Sequence, residues 1–304
     1  MHRFIFAVVT FLAIASSMAF SQDVIPPTLD AALNYEFDYM VVPNVVYSTA
    51  SNYECKLDAY IRHGEASPVA VVIHGGGWVA GTKEDRTLEC VPFIAMGFSV
   101  VNVEYRMARV AFAPAAVEDC RLALEWVFRN AGKYHFDTSR VIVTGGSAGG
   151  HLALMTGLLE SGDGFDASKE WEGTIPNLHV NAIVNWFGIT DVNELLSGPN
   201  RQDYAVSWLG SLPDRESVAK RVSPLTYVRK SSPPVFTVHG DKDQLVPYQQ
   251  AVRLKKALDA AGVDNVLITV PGGNHGGFSH AEYVHCFAAM RAFLQKHGIL
   301  PQGQ

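Results

Sequence analysis

Short apolar runs alternate with longer amphipathic segments along most of the chain. Continuous apolar runs of strand length are typical of strands that are buried on both faces of a parallel sheet. Residues 53–61 instead alternate apolar and polar side chains, and with 40–48 they predict an antiparallel edge. The predicted strands are residues 40–48, 53–61, 69–73, 98–103, 141–144, 180–187, 235–238 and 266–270.

Helical periodicity fills most of the intervals between these strands. Strands that alternate with helices predict right-handed crossovers, and therefore an α/β fold with a mostly parallel sheet of about eight strands and helices on both faces. The predicted helices are residues 83–96, 115–129, 151–159, 248–261 and 280–297.

Three other segments lack a clear strand or long helix. Residues 188–234 contain only short helical pieces and predict a small cap insertion over the site. Residues 161–178 are rich in Gly, Asp, Lys and Glu and predict a surface loop, and residues 23–38 predict a proline-containing lead-in on the surface.

The first residues have the pattern of a secretory signal. A basic start is followed by an apolar run over residues 4–15 and by small residues near Ala19 and Ser21. Residues 1–21 are therefore predicted to be a signal peptide, the protein is expected to be secreted or periplasmic without a stable membrane anchor, and 22–304 form the catalytic domain. The alternative is a buried N-terminal helix.

Composition narrows the range of partners. The 304 residues are 48% hydrophobic, enough for one large domain, and the net charge of −6 without a dense basic stretch predicts no nucleic-acid partner. Four cysteines, at positions 55, 90, 120 and 286, allow three full disulfide pairings, or they are buried thiols. They have no C-x-x-C spacing, so no metal site is predicted. The oligomeric state stays open.

The most informative motif is the G-x-S-x-G over residues 145–149. It lies between a predicted strand and an apolar helix, the context in which such a serine becomes an exposed nucleophile. Gly145 and Gly149 are expected where strand and helix cross too closely for a Cβ. Ser147 is the candidate nucleophile, and the N–H of Ala148 at the helix N-terminus is a candidate oxyanion donor. The alternative is a glycine-rich turn that binds phosphate.

A second glycine-rich loop, His74-Gly-Gly-Gly-Trp78, follows the strand at 69–73. The N–H groups of Gly76 and Gly77 are the other predicted oxyanion donors, whereas His74 is expected to hold the loop. Trp78 is predicted to wall the acyl side of the pocket. Trp208, in the cap insertion, either reaches the pocket or anchors the packing of the cap. The alternative for the whole loop is a flexible connection.

A serine hydroxyl needs a base, and that base needs an anion to fix its tautomer. Loops after parallel strands gather at one sheet edge. Asp243 and His275 follow the last two predicted strands, and the order Ser147, Asp243, His275 is the one expected for this architecture. Asp241 is a rival acid.

The remaining histidines and ion pairs are given structural roles. His280 and His285 are rivals of the proposed base, but they lie in the closing helix and are expected at its surface or in packing. His239 and His179 flank strands and are interpreted as structural. Arg106 is expected to pair with Glu118 and Asp119 beneath the loops.

Several motifs together resemble the α/β-hydrolase serine esterases. They are His74-Gly-Gly-Gly-Trp78, Gly145-Gly-Ser-Ala-Gly149, His239-Gly-x-x-Asp243 and Asn274-His-Gly276. Residues 112–119 are similar to the hormone-sensitive-lipase-like group. The spacing from residues 56–60 to the first glycine loop looks most like bifunctional feruloyl and acetyl-xylan esterases. The sequence departs from this pattern over residues 105–110 and at Gly146.

The resemblance implies a serine carboxylesterase that works through an acyl-enzyme, without a cofactor. Its expected substrate is a small-molecule or polysaccharide ester, in particular an acetyl or feruloyl ester of xylan. Two alternatives stay open, namely an arylformamidase or peptidase-like amide hydrolase, and a non-catalytic binding protein on the same fold.

Overall fold

The computed structural model describes residues 27–166, 178–211 and 213–302. The chain divides into two units, residues 1–37 and 38–304. The lead-in predicted at the surface contains helix α1 (Pro27–Asp38), which has no buried residue and begins at a proline, a residue well tolerated in the first turn of a helix. The predicted signal peptide lies outside the described residues and stays a prediction.

Eight strands form one sheet, in the order β1-β2-β4-β3-β5-β6-β7-β8. The pairs β1–β2 and β2–β4 are antiparallel, and all other pairs are parallel. The predicted antiparallel edge and mostly parallel sheet are confirmed. The strands are β1 (Tyr39–Ala50), β2 (Tyr53–Arg62), β3 (Ser67–Ile73), β4 (Ser99–Val103), β5 (Phe136–Gly146), β6 (Ala182–Trp186), β7 (Val235–Gly240) and β8 (Asn265–Val270).

Helices cover both faces of this sheet, as predicted. Each face of the sheet has its own apolar cluster, and alternate residues of β3 belong to different clusters. Val69 and Val71 lie in one cluster, and Ala70 and Val72 lie in the other. None of the described helices combines the length and apolar character needed to cross a bilayer. The helices after α1 are α2 (Thr87–Ala95), α3 (Ala115–Arg129), α4 (Ala131–Tyr134), α5 (Ala148–Leu158), α6 (Asp203–Leu209), α7 (Arg215–Arg221), α8 (Gln249–Ala261) and α9 (His280–Lys296).

Strand β5 begins five residues before the predicted position. Phe136 pairs with Ser67 of β3, and a register shift follows before Val69 pairs with Val141. The Phe136 ring packs beside Tyr134, with the ring centroids 5.6 Å apart. This first part of the strand was not predicted, because residues 137–140 are polar and interrupt the apolar run.

The predicted insertion at 188–234 consists of short helices and turns. Its described residues contain α6, α7 and three 3₁₀ turns, and no strand between β6 and residue 234. Residue 212 and the predicted surface loop at 167–177 lie outside the described residues. Helix α6 brings Tyr204 to the cavity that Ser147 and His275 also line, and the role of this segment as a cap stays a prediction.

The predicted ion pair joins the end of β4 to α3. Arg106 Nη2 lies 2.8 Å from Asp119 Oδ1, and Arg106 Nε lies 2.9 Å from Oδ2. The backbone N–H of Arg106 donates to the same Oδ2 at 2.8 Å, while Glu118 Oε2 lies further away, 3.7 Å from Nη2. Asp119 is fully buried. The pair therefore ties a strand end to a helix, as the structural interpretation expected.

All four cysteines are free and buried. Burial raises the pKa of the Cys55 and Cys90 thiols to about 12. Thiols with such raised pKa values are poor nucleophiles, because the thiolate is the reactive form. The structure therefore agrees with the buried-thiol alternative.

Candidate active site

Ser147 occupies a sharp turn between β5 and α5. Its backbone has φ 58° and ψ −123°, a conformation that side-chain-bearing residues rarely adopt. The N–H of Ser147 donates to the Trp186 carbonyl at 2.9 Å, and the Ser147 carbonyl accepts from His151 N–H at 3.0 Å. The predicted strand–turn–helix context of the serine is therefore present.

Glycines allow the strand and helix to approach each other at this turn. A Cβ on Gly149 would lie 2.1 Å from the Ile73 carbonyl oxygen, and a Cβ on Gly145 would lie 2.4 Å from the same oxygen. Contacts this short do not occur for real side chains, so both positions require glycine. This is the close crossing that the sequence predicted.

The Gly75–Gly77 loop lies directly beside the turn. Gly76 has φ 111°, and a Cβ there would lie 2.0 Å from the Ala80 carbonyl oxygen. The N–H groups of Gly76, Gly77 and Ala148 make no backbone–backbone hydrogen bond within the described part of the chain. They are therefore free to donate to a ligand, and their role as oxyanion donors stays a prediction.

His74 has the structural position that was expected. It is fully buried and stacks on Tyr105, with the ring centroids 4.2 Å apart. Its Nδ1 lies 2.7 Å from the Gly75 carbonyl oxygen. Burial lowers the pKa of the imidazole despite this hydrogen bond, so the ring holds the loop in its neutral form.

Asp243 and His275 form a hydrogen-bonded pair. His275 Nδ1 lies 2.7 Å from Asp243 Oδ2, while Asp243 Oδ1 accepts from the N–H groups of Leu245 and Val246, both at 2.9 Å. Burial raises the pKa of Asp243, but hydrogen bonds from His239, His275 and Val246 outweigh it and hold that pKa well below its usual range. The carboxylate is therefore ionised and orients the imidazole.

The rival residues do not take part in this pair. Asp241 Oδ1 accepts from the N–H of Gly272 at 2.7 Å and so joins the loops after β7 and β8. His280 and His285 lie exposed on α9. The choice of Asp243 and His275 over these three residues agrees with the contacts.

His239 contributes a contact that the sequence interpretation missed. Its Nε2 lies 2.9 Å from the Val246 carbonyl oxygen and 3.2 Å from Asp243 Oδ2, and the ring is fully buried. His239 therefore contacts the carboxylate that orients His275. The spacing of the two residues does not indicate this contact, because His239 ends a strand and Asp243 lies in the loop that follows it.

Ser147 and His275 line one cavity of about 420 Å³. Between these two described residues there is no hydrogen bond from the Ser147 hydroxyl to the imidazole. Catalytic hydrogen bonds are often long in unliganded enzymes and tighten with substrate. The residues that line the cavity are Gly75, Gly76, Gly77, Arg86, Glu89, Gly146, Ser147, Phe187, Tyr204, Leu245, His275, Gly276, Gly277 and Tyr283.

Neither predicted substrate-binding tryptophan lines this cavity. Trp78 and Trp208 are fully buried and stack on each other, with centroids 4.1 Å apart and planes 14° apart. Trp78 Nε1 donates to His151 Nδ1 at 3.2 Å, and His151 Nε2 donates to the Val222 carbonyl at 2.6 Å. The prediction that Trp78 walls the pocket is therefore wrong, because its indole packs inward. For Trp208 the packing alternative is the correct one.

Other aromatic residues take the place of these tryptophans. Phe187, Tyr204 and Tyr283 line the cavity, and none of them was singled out from the sequence. The Phe187 ring lies edge-on to His275, with centroids 4.8 Å apart. Phe187 ends the predicted strand at 180–187, and its place at the carboxyl edge of the sheet is the signal that could have identified it. Within the described residues, no group of three or more histidine, cysteine or carboxylate side chains is placed to hold a metal ion.

Comparison with known proteins places this geometry in a family. The BD-FAE family model matches residues 57–258. Esterase LipQ of Mycobacterium tuberculosis is 28% identical over 244 residues, which cover 78% of this chain and 56% of LipQ. The chain spans about half the length of the curated relatives it matches.

Two solved structures are similar over nearly their whole length. A truncated carbohydrate esterase from gut microbiota is 30% identical with a TM-score of 0.70, and the match covers 86% of this chain and 96% of that chain. Propionate-bound esterase 2 of Thermogutta terrifontis is 26% identical with a TM-score of 0.71, and the match covers 88% and 97% of the two chains. Both neighbours support the α/β-hydrolase fold.

Proposed function

Because the chain belongs to the BD-FAE family of α/β-hydrolases, we propose that it is a serine carboxylesterase that hydrolyses acyl esters through an acyl-enzyme. One observation carries the proposal. His275, hydrogen-bonded at 2.7 Å to the buried Asp243, lines the same cavity as Ser147 on its strained turn. A base oriented by an ionised carboxylate, in one cavity with a half-buried serine, is the arrangement that nucleophilic acyl transfer requires.

Asp243 accepts the Nδ1 proton of His275, which leaves the lone pair on Nε2 free to act as a base. As Ser147 Oγ bonds to the ester carbonyl carbon, its proton passes to Nε2. The C–O bond to the alcohol then breaks, and the alcohol leaves with that proton. Water repeats these steps in the second half of the reaction, releases the carboxylic acid and restores the serine.

Three backbone N–H groups support the charge that develops on the carbonyl oxygen. Gly76 and Gly77 approach from the loop after β3, and Ala148 lies at the first position of α5. None of the three makes a backbone–backbone hydrogen bond in the described part of the chain, so each can donate to the oxyanion. Donors fixed in advance need no reorganisation during the reaction.

We further propose that the natural substrates are acetyl or feruloyl esters of plant polysaccharide such as xylan, and that the protein is secreted or periplasmic. The resemblance to feruloyl and acetyl-xylan esterases, the similarity to a carbohydrate esterase from gut microbiota, and the predicted signal at residues 1–21 support this proposal. A panel of acetylated and feruloylated xylo-oligosaccharides tests it. Hydrolysis of simple acetate esters without release of acetate or ferulate from the panel would reject the polysaccharide but not the reaction.

The reaction is tested with a fluorophosphonate probe, which forms a bond from phosphorus to an activated serine oxygen and expels fluoride. The wild-type protein should be labelled and should hydrolyse p-nitrophenyl acetate. Ser147→Ala should abolish labelling and lower kcat/KM at least about 10³-fold. Ser217→Ala, at an exposed position of α7, is the matched control and should keep both. An unlabelled wild-type protein, or a Ser147→Ala variant with near-normal activity, contradicts the proposal.

A further inference from the structure

A second cavity of about 240 Å³ adjoins the catalytic cavity. The two cavities share four lining residues: Glu89, Gly146, Phe187 and Tyr283. The remaining wall comes from β3, α2, β5, β6 and α9, and Thr144 of β5 is its one residue with a polar side chain among those described. Its members include Val72, Leu88, Phe93, Trp186 and Phe287. We call this space the side cavity.

Gly146 stands at the junction between the two cavities. Unlike Gly76, it does not have a positive φ, so its backbone conformation does not require glycine. A Cβ at this position would lie 3.3 Å from Phe187 Cε2 and 3.9 Å from Trp186 Cβ. A longer side chain would therefore occupy the passage beside Phe187. Glycine here lets the Phe187 ring lie close to the turn that carries Ser147 and leaves no side chain projecting into the junction.

Phe187 forms the partition between His275 and the side cavity. Its φ of 42° lies in the left-handed region, which is unfavourable for a bulky residue. The N–H of Phe187 donates to the Val238 carbonyl at 2.8 Å, which holds the residue at the end of β6. Strain of this kind persists where the surrounding structure imposes it, and it is frequent at functional sites.

We propose that the side cavity receives an uncharged apolar group of the ester, either a single aromatic ring or a short branched chain next to the scissile bond, and that Gly146 admits it. The proposal rests on the proposed esterase function. An apolar cavity of about 150 Å³ already holds benzene, so one of about 240 Å³ has room for a substituted ring. Among the described residues that line it, Glu89 alone is charged, and its Oε1 is paired with Arg86 Nη1 at 2.8 Å. An anionic group is therefore disfavoured.

The apolar group can belong to the acyl half or to the alcohol half of the ester, and two substrate pairs distinguish these sources. Ethyl 3-phenylpropionate against ethyl acetate tests the acyl half, and benzyl acetate against ethyl acetate tests the alcohol half. The wild-type preference is the ratio of kcat/KM values within each pair. The half of the ester that stays constant, ethyl in the first pair and acetyl in the second, carries no ring.

Two variants fill the side cavity from opposite ends. Gly146→Val narrows the junction, and Phe287→Trp fills the far wall on α9, away from the nucleophile. In the pair whose ring enters the side cavity, each variant should lower the kcat/KM preference for the aromatic ester by about 10- to 100-fold. This is the loss expected when the volume of a few methylene groups is removed from an apolar pocket. Val284→Trp is the matched control, because Val284 lies on the same helix but is exposed, and it should leave the preference unchanged.

The outcomes separate the two proposals. If wild-type protein hydrolyses ethyl acetate but neither filling variant changes either ratio, the side-cavity proposal is overturned and the esterase function stands. If Gly146→Val loses all activity through damage to the turn, Phe287→Trp still decides. Binding of benzyl alcohol to the Ser147→Ala protein, measured by saturation-transfer NMR, needs no turnover. It should weaken when Phe287→Trp is added, and unchanged binding would overturn the proposal even for an inactive protein.

Discussion

Nε2 of His239 lies 3.2 Å from Oδ2 of Asp243, the same carboxylate oxygen that His275 binds at 2.7 Å. The carboxylate therefore lies within hydrogen-bonding distance of two histidine rings, the buried His239 and His275, which lines the cavity beside Ser147. Asp243 contacts the His275 imidazole, and its own pKa is lowered by the contact with His239.

We predict that His239→Phe lowers kcat about 10-fold at pH 8 and more at acidic pH. The hydrogen bond from His239 lowers the pKa of Asp243, so its loss raises that pKa toward the assay range. Protonated Asp243 no longer stabilises the imidazolium. The ratio of variant to wild-type kcat should therefore fall as the pH decreases from 8 to 5. His285→Phe, at an exposed position on α9, should change neither kcat nor its pH dependence. If the kcat ratio for His239→Phe does not depend on pH, His239 acts only through its packing.

We predict that His151 makes the fold sensitive to acid. Burial lowers the pKa of His151 to about 4, whereas the unfolded chain has the ordinary value near 6.5. Between these values the unfolded state binds a proton that the folded state does not, so the stabilisation is present above pH 6.5 and is lost as the pH falls toward 4. The loss is about 3 kcal/mol.

Urea unfolding at pH 7 and pH 4.5 measures this loss. His151→Gln cannot titrate, and its amide can still donate to the Val222 carbonyl, so the variant should lose less stability between the two pH values than the wild type. His285→Gln is the exposed control and should behave like the wild type. Equal losses in His151→Gln and wild-type protein would show that other groups cause the acid sensitivity.

We predict that Asp119→Ala destabilises the protein by about 3–5 kcal/mol, because it leaves the guanidinium of Arg106 buried without its partner. Chemical denaturation followed by circular dichroism measures the change. The exposed pair between Glu54 and Lys56 provides the comparison, since Glu54→Ala should cost about 0.5 kcal/mol or less. Similar effects of the two substitutions would mean that burial of the Arg106–Asp119 pair does not matter.

We predict that Trp208→Ala lowers stability by about 3–5 kcal/mol through loss of its stacking on Trp78. Because Trp208 does not line the cavity that holds Ser147 and His275, KM for p-nitrophenyl acetate should stay within about twofold of the wild-type value well below the unfolding midpoint. The opposite result, a large rise in KM at unchanged stability, would return Trp208 to the substrate site.

The sequence predicted those parts of the site that backbone geometry dictates. The need for glycine at positions 145 and 149 was predictable, because a Cβ at either position meets the Ile73 carbonyl oxygen. The proximity of Asp243 and His275 was predictable, because both follow parallel strands. These constraints are local, or they follow from the rule that such strands end at one edge.

The direction of large side chains was not predictable in the same way. Trp78 follows the glycine loop and could face either the cavity or the core, and only the packing of Trp208 against it decides. His239 has the same difficulty, since its contact with Asp243 depends on how the loop after β7 turns back at Val246. Both depend on neighbours that are distant in the sequence or on loop conformations that periodicity does not encode.

The chemical centre of this molecule is built from main chain in contact with main chain. A Cβ on Gly75 would lie 2.7 Å from the Gly146 carbonyl oxygen, so the Gly75–Gly77 loop and the turn at Ser147 touch without side chains between them. Random mutagenesis should therefore return few tolerated changes in residues 75–77 or at 145 and 149. A laboratory that wants a new substrate range will find its adjustable positions at the outer aromatic ring of the cavity, in Phe187, Tyr204 and Tyr283.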